Sequence, residues 1–227
     1  MENKPHEITI IESGDGSHTL FHSGLNETYH SMHGAVQESE HVFIKAGLEQ
    51  FLESKKEIHI FEVGFGTGLN AWLTYKRIAG TDAKVVYHSI EPFPLLEEIY
   101  SKLNYTKSTE DKELYDFFIE LHKAPWDEGV VLNHNFTLKK IHARLEDYHT
   151  GDNVFDIVYY DAFAPSKQAE MWLPENIQKV HSCLVEKGVL VTYCARGQFK
   201  RDLKAVGFTV ETLLGPPGKK EMTRGVK

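Results

Sequence analysis

Ile58-His-Ile-Phe-Glu-Val-Gly-Phe-Gly-Thr-Gly-Leu-Asn70 is an apolar run that passes without a break into three alternating glycines, and no other stretch constrains the fold so tightly. Glycines 64, 66 and 68 let the backbone take positive φ and approach a ligand with no Cβ in the way. Leu69, Trp72, Leu73, Tyr75 and Ile78 then recur at helical spacing. The turn therefore sits between a strand and a helix, as a nucleotide-cofactor loop must. Glu91 closes the next apolar run, 84–91, at 29 residues from Glu62. A carboxylate that meets a ribose diol follows such a loop by roughly 20 residues or more.

A dinucleotide site requires G-x-G-x-x-G, whose third glycine allows close helix packing under a pyrophosphate. The spacing here, Glu62-x-Gly-x-Gly-x-Gly68, instead resembles the first motif of class I S-adenosyl-L-methionine methyltransferases. The competing reading is a glycine-rich strand turn in some other α/β protein.

The length of 227 residues and hydrophobic share of 41% suit one α/β core, with no linker-like tract dividing the chain. Within that single domain, residues 1–52 read as an N-terminal extension and 53–227 as the methyltransferase unit. Cys183 and Cys194 are too few and too far apart for a disulfide framework or a zinc site. The absence of a signal-like start and of a long apolar run sets the expectation of a soluble, cytoplasmic protein. A net charge of −8 disfavours a simple nucleic-acid binder, yet 196–227 carries eight Lys/Arg against three acids, +5 against −13 elsewhere. That asymmetry marks either a phosphate-binding face or a solvated helix with a basic end.

Two β-prone runs, 8–11 and 18–21, flank Gly14-Asp-Gly16 and predict a hairpin. Residues 41–52 read as one amphipathic helix, and 94–123 as helices interrupted by the polar stretch 106–112. Strands are expected at 136–141 and 154–160. A helix over 174–185, a turn at Lys187-Gly188 and a strand over 189–193 follow, then a helix over 199–206 and a strand over 208–214. This alternation predicts a mostly parallel sheet covered by helices on both faces, with ligands at the carboxyl ends of the strands.

Phe155-Asp-Ile-Val-Tyr-Tyr-Asp161 is a buried-type strand ending in an acid and followed by Ala-Phe-Ala-Pro165. Strand-end aspartates usually cap helices, but Pro165 and the lack of an immediate helix weaken that explanation. Methyl transfer to an amine needs an oxygen acceptor to keep the nitrogen lone pair free. Asp161 meets that need. The Ala162 carbonyl offers a second acceptor, and Phe163 either stacks on a flat base or belongs to the core, resembling the Asp/Asn-Pro-Pro-aromatic arrangement of amino-methyltransferases.

Longer phrases extend the likeness across nearly the whole chain. They are Glu27-Thr-Tyr-His-Ser31, Gly34-Ala35 and Glu38-Ser39 before His41-Val-Phe43; Val63 to Asn70; Glu91 before Phe93-Pro94-Leu95; Asp161 to Lys167 with Glu170-Met-Trp172; Thr192 to Gly197; and Gly215 to Arg224. These phrases resemble the tRNA aminomethyluridine methyltransferases, the methyltransferase half of the bifunctional MnmC proteins and their stand-alone relatives.

The resemblance implies a class I, Rossmann-like α/β fold with an N-terminal hairpin extension and S-adenosyl-L-methionine as cofactor. It implies methylation of a 5-aminomethyl group on the wobble uridine of a tRNA anticodon stem-loop. Glu62, Gly64, Phe65, Gly66, Gly68, Asn70 and Glu91 would hold the cofactor, with Asp161 catalytic. Phe163, Lys167, Arg196, Lys219, Lys220 and Arg224 would meet the substrate, although Lys167 and Arg196 also suit ordinary surface cations. Many class I relatives hold the adenine amine with an Asp after the third strand. Here that stretch is Ile141-His-Ala-Arg-Leu-Glu146, so backbone near His142 and Ala143 takes that place in the expectation.

No second nucleotide fingerprint is present, so a flavin oxidase acting upstream is expected to be a separate partner. Among thirteen histidines, His30 and His33 share a helical spacing without a third ligand, and no metal is expected. Tyr29 either covers the cofactor pocket or packs on the core; Met171 and Trp172 either shape the substrate mouth or start a buried helix. Two other functions stay open on these residues, aminopropyl transfer to a small amine and cofactor binding without turnover. The basic C-terminal phrase disfavours the former, intact Glu91 and Asp161 the latter.

Overall fold

The computed structural model describes residues 8–107 and 111–227; residues 1–7 of the expected extension and 108–110 of the expected polar interruption lie outside them. Apolar alternation builds the opening hairpin: β1 (Ile8–Glu12) pairs antiparallel with β2 (His18–His22). A two-residue β3 (Glu27–Thr28) adds a third strand.

The main sheet holds β4 (Glu57–Val63), β5 (Lys84–Ile90), β6 (Gly129–Asn133), β7 (Phe136–Ile141), β8 (Phe155–Tyr160), β9 (Leu184–Thr192), β10 (Thr209–Leu214) and β11 (Glu221–Val226). Their spatial order is β10-β11-β9-β8-β4-β5-β7-β6. β9, β8, β4, β5 and β7 pair in parallel. β11 runs antiparallel between β9 and β10, and β6 antiparallel at the far edge. The chain leaves β4 toward β5 on one side and returns through β8 on the other. Ligands of open α/β sheets bind at such a reversal, beyond the carboxyl ends of the strands.

Helices cover both faces: α1 (Ala35–Ser39), α2 (Leu69–Ile78), α3 (Glu97–Tyr100), α4 (Lys112–Lys123), α5 (Pro174–Cys183) and α6 (Gly197–Ala205). One apolar cluster holds Trp72, Tyr87, Phe136 and Tyr159, and the other holds Phe61, Val158, Tyr160 and Ile177. β8 is buried along its whole length because it lies between these layers.

Three expectations are corrected. The helix expected over 41–52 starts earlier, as α1, then widens into a π-helical stretch (Glu40–Lys45) and ends in a 3-10 turn (Leu48–Gln50). Burial of Val42, Phe43, Ile44 and Leu48 against the sheet outweighs regular helical periodicity there. Lys187-Gly188 is an irregularity inside β9 rather than a turn before it: the register with β8 shifts between Phe155 and Ile157. Strands β6 and β11 are additions to the expected set, and β11 turns the basic tail into part of the sheet.

Candidate active site

β4 delivers Val63 to the carboxyl edge of the sheet, where the chain turns through Gly64 (φ 97°), Gly66 (φ 48°) and Gly68 (φ 71°) into α2. A Cβ on Gly64 would stand 2.7 Å from the Asp161 carbonyl oxygen, and one on Gly68 2.9 Å from His122 Nε2. The glycines thus serve two purposes. Those at 64 and 68 let the loop press against β8 and α4, and Tyr29 lies across Gly66 from the N-terminal sheet. His30 Nε2 and Thr67 Oγ1, 2.8 Å apart, tie that sheet to the loop. Burial lowers the His30 pKa to about 4, so this tie is made by a neutral imidazole.

Three carboxyl groups surround the loop. Glu62, at the end of β4, is fully buried and accepts hydrogen bonds from Ser89 Oγ (2.6 Å) and Asn70 Nδ2 (3.0 Å). Burial lifts its pKa to about 8, with Asp161 adding repulsion. Asp161 follows β8, takes a 2.9 Å hydrogen bond from the same Asn70 nitrogen, and is raised by burial to about 7. Glu91 follows β5 and is likewise raised to about 7 by burial, opposed by backbone hydrogen bonds from Phe93 (2.8 Å) and Gly66 (3.1 Å). Three desolvated acids beside one loop form a cluster characteristic of a functional site.

A cavity of about 500 Å³ opens at this point. Gly64, Phe65, Gly66, Asn70, Glu91, Asp161 and Phe163 line it, whereas Glu62 and Gly68 stand behind its wall. Further lining comes from His22, Leu25, Tyr29 and His30 of the N-terminal segment, from Pro92 and Phe93 after β5, from Ala143 to Glu146 after β7, and from Gln168, Glu170 and Met171 after β8. Tyr29 meets Phe163 edge-on at 5.0 Å, so it covers the pocket rather than only packing on the core. The stretch around Ala143 coincides with the place expected for adenine contacts. Tyr193 enters the expectations only as part of the Thr192–Gly197 phrase, with no role assigned; its hydroxyl donates to the Ala162 carbonyl at 2.7 Å and braces the Asp161 loop. A phenol at the end of an apolar strand, four residues before the glycine of a helix start, was the available signal.

The cations are dispersed. Arg196 and Lys220 are exposed, and Lys167 Nζ donates to the Asn26 carbonyl at 2.9 Å. Lys219 and Arg224, also expected at the substrate, are each paired with an acid. Lys219 Nζ lies 2.5 Å from Glu38 Oε1 and 3.9 Å from the centre of the Tyr193 ring. Arg224 Nε meets Glu211 Oε2 at 2.5 Å, and its guanidinium reaches the Ala46 carbonyl. Insertion of β11 carries both into the fold. Among the described residues no group of three or more His, Cys, Asp or Glu is arranged to hold a metal ion, and no helix is long and apolar enough to cross a membrane.

Comparison with known proteins agrees with this geometry. Residues 120–227 match a family of S-adenosyl-L-methionine-dependent methyltransferases. The tRNA 5-methylaminomethyl-2-thiouridine biosynthesis bifunctional protein MnmC of Marinomonas sp. (strain MWYL1) is 30% identical over 216 residues, 88% of this chain and 31% of that protein. Its counterpart from Pseudoalteromonas atlantica is 31% identical, over 90% of this chain and 31% of the relative. The chain thus spans about a third of the length of these relatives. The crystal structure of MnmC2 from Aquifex aeolicus superposes with a TM-score of 0.81 at 26% identity, covering 98% of this chain and 71% of that one. With its sheet order, its glycine loop and these likenesses together, the chain is an S-adenosyl-L-methionine-dependent methyltransferase domain similar to MnmC2 and to part of the MnmC proteins.

Proposed function

We propose that this domain methylates the aminomethyl nitrogen of a 5-aminomethyluridine, with or without 2-thiolation, at the wobble position of tRNA, and that it acts in the cytoplasm. The observation that carries this reading is Asp161: a desolvated carboxylate at the end of β8, beside the glycine loop and in the wall of the cavity. The tRNA in the name of the MnmC relatives supports the choice of substrate. Their fusion to a second, longer part supports an oxidase that supplies the free amine, in the same polypeptide or as a separate flavin protein.

The residues fit the cofactor. Gly64 and Gly66 leave backbone open to it, Glu91 presents a carboxylate to a ribose diol, and the loop 143–146 offers main-chain contacts for an adenine. Asn70 adds a buried Oδ1 with no hydrogen-bond partner among the described residues, an acceptor that a bound ligand would satisfy. When bound, S-adenosyl-L-methionine supplies an electrophilic methyl group on a sulfonium.

The protein's own part is alignment and proton acceptance. An alkylamine is protonated at neutral pH and has no lone pair to offer. Asp161 titrates near 7, so it takes a proton or hydrogen bond from the amine while remaining partly ionised. The Ala162 carbonyl, held by Tyr193, offers a second acceptor. Phe163, edge-on to Tyr29, gives the uridine ring an aromatic wall. Exposed Arg196 and Lys220, with Lys167, are the candidate phosphate contacts.

Incubation with methyl-labelled S-adenosyl-L-methionine and tRNA from cells lacking the modification tests this reading. Label in 5-methylaminomethyluridine after nucleoside digestion is expected. Label confined to small amines, or binding without transfer, would overturn it.

A further inference from the structure

Asn70 has one amide nitrogen and two carboxyl neighbours. Its Nδ2 donates to Glu62 Oε1 at 3.0 Å and to Asp161 Oδ2 at 2.9 Å. The carboxyls belong to adjacent parallel strands, and Asn70 sits in the first turn of α2, directly after the glycine loop. Both amide protons are thereby committed. The orientation follows from chemistry, because a flipped amide would set its oxygen against two carboxyl oxygens.

We propose that Asn70 is a positioning residue for methyl transfer: by clamping Glu62 and Asp161 with one nitrogen it occupies Asp161 Oδ2 and leaves Oδ1 to face the substrate amine. This inference rests on the reading of Asp161 as the acceptor of the amine proton. A carboxylate free to rotate about its Cβ–Cγ bond would sweep its lone pairs through a range of directions, whereas one oxygen pinned by Asn70 fixes the plane in which the other presents its lone pairs. Burial, not the clamp, sets the order of the two acids: Glu62, the more deeply buried, is raised to about 8 and Asp161, facing the cavity, to about 7, while the Asn70 hydrogen bond favours the anion of each.

Other charged or titratable groups bear on Asp161 from every side. Tyr87 of β5 and Tyr193 after β9 lie within electrostatic reach of it, Glu38 of α1 repels its anion, and Lys219 attracts it. None of these is bonded to its carboxyl among the described residues. Of the described side chains Asn70 alone donates to it, so removal of that donor changes the anion directly rather than through the surrounding field.

The test is a titration of the Asp161 carboxyl by carbon-13 NMR of aspartate-labelled protein without cofactor, paired with single-turnover rates across pH 6–9. In Asn70→Ala the carboxyl should titrate about one pH unit higher than in the wild type, since its anion loses a hydrogen bond. The rate at pH 7 should fall at least tenfold, with the profile displaced upward by the same interval. Because Asn70→Ala also strips Glu62 of a partner, the double variant Glu62→Gln/Asn70→Ala provides a folded counterpart with no orphaned buried acid, and the same displacement is expected in it.

An unmoved titration and pH profile in either folded variant overturns the proposal, including the case in which only cofactor affinity drops. Asp161→Asn separates the two levels. If that variant transfers methyl at the wild-type rate, the acceptor reading fails and the clamp with it. If it is slow while Asn70→Ala titrates like the wild type, only the clamp fails.

Discussion

Glu91→Ala isolates the cofactor's hold on the protein. Each Glu91 oxygen already takes one backbone hydrogen bond, from Phe93 N at 2.8 Å and from Gly66 N at 3.1 Å, which fixes the carboxylate between the glycine loop and the segment after β5. A hydroxyl donating to a charged acceptor contributes about 1.5–3 kcal/mol. At about 1.4 kcal/mol per tenfold, removal should weaken S-adenosyl-L-methionine binding by roughly 10- to 150-fold. The direction of the pH effect follows from the titration of the same group. Burial raises Glu91 to about 7, so it is mostly protonated at pH 6 and mostly ionised at pH 8. Wild-type affinity should therefore rise with pH across that window, and the rise should be shallower in Glu91→Ala. Glu91→Gln keeps the size and loses the charge, which separates electrostatics from packing. Calorimetric titration with S-adenosyl-L-methionine, alongside circular dichroism, measures both effects. An affinity within twofold of wild type in natively folded Glu91→Ala would refute the assignment of Glu91 to the ribose.

Asp161→Asn should bind cofactor normally but slow single-turnover transfer by about 10²–10⁴-fold, the range set by loss of a positioned base; quench-flow with labelled cofactor reads it. Glu62 is raised from 4.5 to about 8, so its contribution to stability is full below about 4.5 and is lost as pH rises through about 8. Glu62→Gln should therefore melt higher than wild type at pH 9 and show less advantage at pH 6, by differential scanning calorimetry. Gly64→Ala would place a Cβ 2.7 Å from a backbone oxygen at φ 97° and should cost at least about 1–3 kcal/mol in denaturant unfolding. Replacing exposed Arg196, Lys204 and Lys220 with Gln should flatten the dependence of log tRNA affinity on log salt by about 0.9 per lost phosphate contact, measured by filter binding. An unchanged slope would place the phosphate-binding face elsewhere.

Three parts of the site are legible in the amino-acid sequence: the glycine loop, Glu91 and Asp161. Each lies at the carboxyl end of a strand marked by an apolar run, and a parallel sheet brings those ends to one edge whatever the details of packing. The third glycine is legible for an incomplete reason. Its motif places Gly68 at the cofactor, whereas it stands behind the cavity wall and makes room for His122. Glu62 is expected there too, and it stands behind the wall with a hydrogen bond from Asn70. The basic C-terminal segment is the least legible. Its charge counts as a surface along the chain, but pairing of β11 with β10 sets Arg224 opposite Glu211, and Lys219, just before β11, meets Glu38.

What the sequence by itself determined is therefore local in origin: strand, loop and helix periods, the positive-φ glycines, and carboxylates at strand ends. Their placement depends on backbone sterics and on the two periodicities of apolar residues, which act over a few positions. What only the tertiary structure decided are contacts between distant segments. Asn70 meets Asp161 across 91 positions and Lys219 meets Glu38 across 181. Such pairs are set by the order of strands in the sheet and by burial, and burial is also what raises the three acids. No window of sequence carries that information, because desolvation is a property of everything packed around a group rather than of its neighbours along the chain.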